Sequence, residues 1–351
     1  MNRIKPIFLL PMLFIILLIG FFVSLTSGAV DIAVPDLLAW VMPGFLAEYE
    51  LTQAEIVIIE HIRLPRALLV IVVGAALGIS GAVIQGLFRN PLADPALIGV
   101  SGGAALGAVT AIVLFSAGGM SVVYIEWLKI LMAFLGSVLA TVLVFYIGYA
   151  ANQKFESNRF SVAVVLLVGI AFNALAGALI SMLAYLADDL SLRELTFWMM
   201  GSFSGAGWQE VCFATPGILL AITVFCALSK QLNILLLGDV EAEHLGVNVK
   251  QLQIKVMLFS ALAVGAAVSV VGMVGFVGLI VPHILRLLMG PNMNYLLPGS
   301  AIGGAGLLVY ADWVSRWLLS PAELPIGILT ALLGAPFFLL LLLSRQYGVR
   351  P

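Results

Sequence analysis

The chain is short of charge. Only 10% of its 351 residues are Asp, Glu, Lys or Arg, while 62% are hydrophobic; a typical soluble domain is about 25% charged and about 45–50% apolar. Eighteen acids and sixteen bases cannot coat a folded surface of this size in water. That balance excludes intrinsic disorder, which needs the opposite one, and argues against a soluble enzyme. A net charge of −2 without a basic tract argues against a nucleic-acid binder. Cysteine is nearly absent. Cys212 and Cys226 fall in one expected helix, roughly 21 Å apart along its axis at 1.5 Å per residue, too far for a disulfide. Burial among apolar side chains is their expected role. No Gly-x-x-x-x-Gly-Lys-Ser/Thr occurs, so the chain does not bind ATP through that loop.

What is present is a series of long apolar runs, at about 7–27, 67–88, 95–117, 130–150, 161–187, 211–229, 256–280, 294–311 and 325–344. A helix needs about 20 apolar residues to cross roughly 30 Å of hydrocarbon. The stretch 248–290 is too long for one crossing, and Gly272, Gly275 and Gly278 interrupt it, so it is expected to be two helices joined by a tight turn. These runs predict an all-α polytopic membrane protein, a single domain over 1–351 with about ten transmembrane helices. Residues 188–206 are too short and too charged at one end for a span, and are expected as a short helix on the outside. The first run follows Arg3 and Lys5 and ends at Ser27-Gly28-Ala29, as a secretion signal does. Its apolar core exceeds the about 7–15 residues of such signals, so it is expected as a retained span.

Basic residues choose the orientation. With both termini inside, Arg3, Lys5, Arg89, Lys154, Arg159, Lys230, Lys250, Lys255, Arg286, Arg345 and Arg350 lie inside. Only Arg63, Arg66, Lys129, Arg193 and Arg316 lie outside. Span centres are almost free of charge, with Asp312 and Glu323 near outer ends. Gradient-driven carriers normally need intramembrane ionisable groups, so energy is expected from another subunit; Asp312 is the best candidate for the opposing view. Ser80 and Ser101, in Gly-x-Ser-Gly contexts, raise an intramembrane hydrolase, yet a serine needs a base within hydrogen-bond reach. The glycine pairs Gly74/Gly78 and Gly103/Gly107 are expected to let helices pack closely.

Three polar constellations stand out. Arg63 and Arg66, with Arg316 on the same face, either snorkel to headgroups and cap a helix or dock an acidic partner. The inner loop 230–250 is expected to form one or two short helices bounded by glycines, with Asp239 as N-cap and Gly246 just past the C-terminus. Arg89-Asn90-Pro91-Leu92-Ala93-Asp94-Pro95 reads as a rigid inner turn reopening into a helix at Pro95.

Taken together, Arg63-Leu-Pro-Arg66, the run from Gln85 to Pro95, the Gly238–Gly246 loop, Gly275-Phe-Val-Gly-Leu-Ile-Val-Pro-His283 and the stretch Glu323 to Phe337 resemble one family. It comprises permease subunits of bacterial ABC importers for iron chelates (siderophores and haem) and vitamin B12. The resemblance runs from about 60 to 340 and implies that family's ten-span fold. It implies a homodimer in the bacterial inner membrane, driven by two cytoplasmic ATPase subunits and supplied with a large chelate by a periplasmic binding protein. No cofactor or metal is expected on this chain; ATP and Mg belong to the ATPase. Arg63, Arg66 and Arg316 match the family's binding-protein docking positions. Gly238, Asp239, Glu241, Ala242, Glu243, His244, Leu245 and Gly246 match its ATPase-coupling segment. Trp198, Met199 and Met200, in 188–206, match its outer gate. The stretch Gln85–Gly103 resembles haem permeases most and ferric-siderophore permeases next, with cobalamin and oxyanion cargoes left open.

Overall fold

Backbone amides in hydrocarbon must be satisfied within their own element, and this chain meets that condition with helices throughout. A computed structural model describes residues 4–28, 30, 32–42, 52–115, 122–154, 162–320 and 322–346. Arg3, Ala29, Arg159 and Arg350 lie outside the described residues. Inner and outer below denote the sides assigned by the basic bias.

Helix α1 is Pro6–Thr26 and α2 a short Val34–Val41. Helix α3 (Gln53–Ile58) passes through a π turn, Ile59–Arg63, into α4 (Leu64–Leu87), making one rod. Pro65 lacks an N–H and crowds the preceding turn, and a widened π turn accommodates it. A 3-10 turn, Pro95–Ile98, leads to α5 (Val100–Phe115). Then follow α6 (Val122–Lys154), α7 (Val162–Leu186), α8 (Asp189–Met200) and α9 (Trp208–Ala227). The inner connection holds α10 (Ser229–Leu235) and α11 (Asp239–His244). Helices α12 (Val249–Val271), α13 (Val277–Met289), α14 (Met293–Leu318) and α15 (Ile326–Gln346) complete the bundle.

Each of the ten expected spans coincides with one of these helices. Six are long and apolar enough to cross a membrane: α1, the α3–α4 rod, α6, α7, α9 and α12. Helices α5, α13 and α15 are apolar but shorter in their described apolar stretch, and α14 dilutes its 26 residues with Gly, Pro and polar side chains. The 248–290 run breaks at Gly272, whose φ is +76°, as expected from its glycines.

Helix α4 is the most deeply buried of the six, and its glycines explain how. A Cβ on Gly74 would stand 2.5 Å from the Gly304 carbonyl oxygen of α14, and one on Gly78 would stand 2.1 Å from that of Ser300. The second expected pair does the same between α5 and α6: a Cβ on Gly103 would stand 2.3 Å from the Gly136 carbonyl oxygen, and one on Gly107 2.0 Å from that of Met132. Lipid supplies no hydrophobic drive for helix association, so such backbone contact carries the packing.

Four local expectations are corrected. Cys212 and Cys226 are exposed, not buried, because α9 buries the stripe Val211, Ala214, Ile218, Ala221 and Phe225 and both cysteines lie one residue off it. At Pro95 the chain forms only a 3-10 turn; Gly99, at φ +87°, separates it from α5. The 188–206 helix ends at Met200, where Gly201 turns the chain at φ +69°. Gly238 rather than Asp239 is the N-cap of α11.

Gly78→Ala is expected to lower the melting temperature in detergent by a shift equivalent to about 1–3 kcal/mol of overpacking. Gly177→Ala on α7 is the matched control: a Cβ there meets nothing within 4 Å, and thermal unfolding should show unchanged or higher stability. Equal behaviour of the two variants would contradict backbone-contact packing.

Candidate functional site

The outer site forms where α1, α4 and α14 end together. Arg66 Nη1 donates to Glu323 Oε1 at 2.8 Å and its Nη2 to Glu323 Oε2 at 2.9 Å. The same guanidinium donates from Nη2 to Asp312 Oδ1 at 2.8 Å and from Nε at 3.2 Å. Arg316 Nε stands 3.2 Å from the other Asp312 oxygen. Two guanidiniums and two carboxylates thus form one neutral network. Its core is shielded: the Asp312 side chain is 2% exposed and that of Arg66 10%, while Glu323 at 35% is the open member.

The remaining donors go to the end of α1. Arg63 Nη1 donates to the Leu25 and Thr26 carbonyls at 2.7 and 2.8 Å, and Nη2 to the Val30 carbonyl. Arg316 donates to the Ser27 carbonyl at 2.9 Å and to Ser24 Oγ at 2.8 Å. The last carbonyls of a helix have no partner within it and carry its negative dipole end, so two arginines from other elements cap α1. The structure brings Arg63, Arg66 and Arg316 together, as the sequence implied, and turns their guanidiniums inward onto the protein. Asp312 lies inside the same network rather than alone in a span.

The inner site is built at the α10–α11 turn. Gly238, at φ +134°, starts α11 and Gly246, at φ +83°, ends it. Val247 N–H bonds the Ala242 carbonyl at 2.9 Å and Gly246 N–H the Glu243 carbonyl at 3.0 Å, the paired bonds of a glycine-terminated helix. Ala242 is fully buried. Asp239 turns inward, its Oδ1 accepting from Arg89 Nη2 at 2.9 Å. Glu241, Glu243, His244 and Leu245 face outward, joined by Val240 and by Leu237, the latter just outside the Gly238–Gly246 match. Arg89 sits just past α4, and its link to a residue 150 positions away has no local sequence signal. Gln85, one turn earlier, donates to the Gly278 carbonyl at 3.1 Å and accepts from Arg286 at 3.1 Å, fastening α4 to α13.

The third region surrounds the end of α8. Asp188 caps this helix by accepting from Ser191 N–H at 2.7 Å, which holds its carboxyl below the usual range. Lys129 of α6 reaches Glu194 at 3.0 Å. Trp198 is half-buried against the core, and Met199 is exposed. The Met200 and Trp198 carbonyls crowd Gly327 and Gly272: a Cβ at either glycine would lie 2.3 or 2.2 Å away. Ser202 N–H bonds the Val271 carbonyl at 2.8 Å and Ile326 N–H the Gly201 carbonyl at 3.0 Å. The α8 end, the α12–α13 break and the start of α15 therefore meet backbone to backbone, a junction carried by glycines far apart in sequence.

Ser80 Oγ is buried, and among the described residues no group hydrogen-bonds it. Among the described residues no three His, Cys, Asp or Glu side chains gather as a metal site.

Ten apolar helices with charge kept toward their ends, and a short helix on the inner connection, define a multi-pass membrane protein. A family model described as the FecCD transport family matches residues 16–344. The hemin transport system permease protein HmuU of Yersinia pestis is 45% identical over 287 residues, 82% of this chain and 83% of that protein. The vitamin B12 import system permease protein BtuC of Vibrio parahaemolyticus is 41% identical over 286 residues, 81% and 82% of the two chains. A solved structure described as an inward-facing conformation of a metal-chelate type ABC transporter matches with a TM-score of 0.80 at 36% identity, covering 95% of this chain and 98% of that one. The chain belongs to the FecCD transport family and is an ABC-importer permease.

Asp312→Ala is expected to cost about 3–5 kcal/mol, because it leaves two guanidiniums without their shielded partner. Glu323→Ala, at the open edge, should cost only about 0–1 kcal/mol. Thermal unfolding of the two variants in detergent compares them directly; equal losses would show that the network is not the buried unit described.

Proposed function

We propose that this permease carries an iron chelate into the cytoplasm, haem first and a ferric siderophore second, as the membrane-spanning half of a binding-protein-dependent importer. It works as two copies in the bacterial inner membrane, termini inside, with two cytoplasmic ATPase subunits that hold ATP and Mg. The observation that carries the coupling is the inner segment. Ala242 and the Arg89–Asp239 pair fix α11 from behind, while Val240, Leu245 and the acids Glu241 and Glu243 stand exposed. Large apolar side chains exposed beside charge suit a partner's groove. Among the described residues the ion pairs lie near helix ends, without the mid-membrane charge relay that a gradient-driven carrier uses. The haem assignment is supported by the HmuU relative. Cobalamin is the alternative cargo, supported by the BtuC relative at 41% identity. In the same proposal Trp198, Met199 and Met200 contribute to the outer gate, where α8, α12 and α15 meet.

Arg63, Arg66 and Arg316 enter as the docking face for the binding protein. Arg63 and Arg316 are committed to α1, so Arg66 is the arginine that a partner carboxylate reaches, by taking the place of the half-exposed Glu323.

Reconstitution with ATPase and binding protein tests the whole. Haem uptake should require both, and Glu243→Pro should leave ATP hydrolysis running while uptake falls at least about tenfold, since Pro removes an N–H and breaks a short helix. Uptake that follows a proton or sodium gradient without the ATPase would overturn the proposal; uptake of cobalamin alone would replace the cargo. A second measurement addresses docking. Glu323→Gln releases the Glu323 side of the Arg66 fork and should tighten binding-protein association about tenfold or more, as expected for a charge-assisted pair worth about 1.5–3 kcal/mol. Unchanged affinity would remove Arg66 from the contact.

A further inference from the structure

Helices α6 and α12 pack together but part near their inner ends, leaving an open furrow of about 410 Å³. Val142, Phe145 and Tyr146 of α6 form one wall, and Ile254, Leu258 and Ala261 of α12 the other. Val142 is 53% exposed and Tyr146 69%, so the furrow opens on the bundle's outside. It continues the exposed apolar line Leu131, Leu135 and Leu139 along α6.

The inner end of the furrow is cationic and aromatic. Lys250 Nζ donates to Tyr149 Oη at 2.7 Å and lies 4.5 Å from the ring centroid. Phe145 stacks on the same ring at 6.5 Å. No carboxylate pairs with Lys250 among the described residues, and an ammonium has three donors. From Lys250 to Ala261 the helix rises about 16 Å at 1.5 Å per residue, half of a hydrocarbon core roughly 30 Å thick. The furrow therefore runs from the inner surface to the membrane's midplane.

We propose that this furrow is a binding site for one anionic phospholipid of the cytoplasmic leaflet. An acyl chain lies along Val142, Tyr146, Ile254 and Leu258, and the phosphate sits on the Lys250 ammonium. Anionic headgroups are attracted to basic side chains at the cytoplasmic surface, and tyrosine is suited to the headgroup level. The leaflet rests on the orientation proposed above; the site itself does not. Charge complementarity favours a lipid over a second copy of the chain, since the cation at the furrow's mouth pairs with no acid among the described residues and the cytoplasmic leaflet offers phosphate.

The test is mass spectrometry of the intact, delipidated protein under non-denaturing conditions. It is titrated with phosphatidylglycerol or with phosphatidylcholine of the same acyl chains. The first phosphatidylglycerol should bind more tightly than phosphatidylcholine. Lys250→Gln should weaken it about fivefold, the effect of one lysine at an anionic surface, and Lys250→Arg should restore it. Val142→Trp, placed at an exposed position that fills the furrow, should weaken both lipids while the melting temperature is kept. Equal binding of the two lipids by the unsubstituted protein, or unchanged phosphatidylglycerol binding in both Lys250→Gln and Val142→Trp, would overturn the site. Disulfide cross-linking of two copies through Tyr146→Cys, in a Cys212→Ser, Cys226→Ser background, would assign the furrow to a second copy and overturn it equally. Because binding is read without reference to sidedness or transport, its failure is distinct from failure of the import reading.

Discussion

The structure depends on backbone-to-backbone contact along α4. In water a helix this apolar would be held by the hydrophobic effect; in lipid it has no such drive, and only close surfaces with many dispersion contacts hold helices together. Gly74 and Gly78 bring α4 against Gly304 and Ser300 of α14, and Gly81 brings it against Gly278 of α13. Each contact needs the absence of a Cβ on α4, so the register of α4 against its neighbours is fixed to within a residue. Everything polar in the molecule is then positioned from the two ends of that rod.

At the outer end the rod presents Arg63 and Arg66; at the inner end it presents Gln85 and Arg89. The outer pair engages α1, α14 and the start of α15 through carbonyls and carboxylates. The inner pair engages α13 and α11. One buried helix thus touches both the outer arginine network and the inner helix α11. Such contiguity is spatial; a coupling energy between the ends would need a two-state element that both bias. The scarcity of charge acquires a structural meaning here. Charged side chains sit where a helix end supplies partners, and the centres are left to glycine and aliphatic packing.

Much of this was legible in the sequence because its causes are local. Apolar run length, basic asymmetry and the Gly272 break each follow from a few neighbouring residues, and all ten spans came from them. The short inner helix α11 was legible through Gly238 and Gly246, whose positive φ angles are the property that glycine signals. What stayed hidden depends on pairing across the chain. Arg66 with Asp312 is separated by 246 residues and Arg89 with Asp239 by 150, and no spacing rule reaches that far. The same limit explains the cysteines: membership of a span was readable, but which face of α9 the bundle covers was not. It also explains why the sequence left the outer arginines open between capping a helix and docking a partner. Their type and side were evident, whereas the carbonyls of α1 that accept from two of them become visible only once the helices are packed.

Arg89 shows how a local rule yields to such a distant partner. It occupies the position just past the end of α4, with φ +48°. Asn90 N–H bonds the Gln85 carbonyl at 3.1 Å and Arg89 N–H the Gly86 carbonyl at 3.2 Å. This is the termination for which glycine is preferred, and an L side chain there costs roughly 1–2 kcal/mol. Gly246 and Gly290 end their helices with glycine at positive φ, so the fold has the usual solution available and does not use it after α4. A glycine at 89 would relieve the backbone but leave Asp239 without its guanidinium, and with it the only cross-chain ion pair on the inner side among the described residues. The identity of residue 89 is therefore set by α11 rather than by the turn it sits in. That is the expected signature of a position where holding the inner segment in place outweighs the comfort of the local backbone.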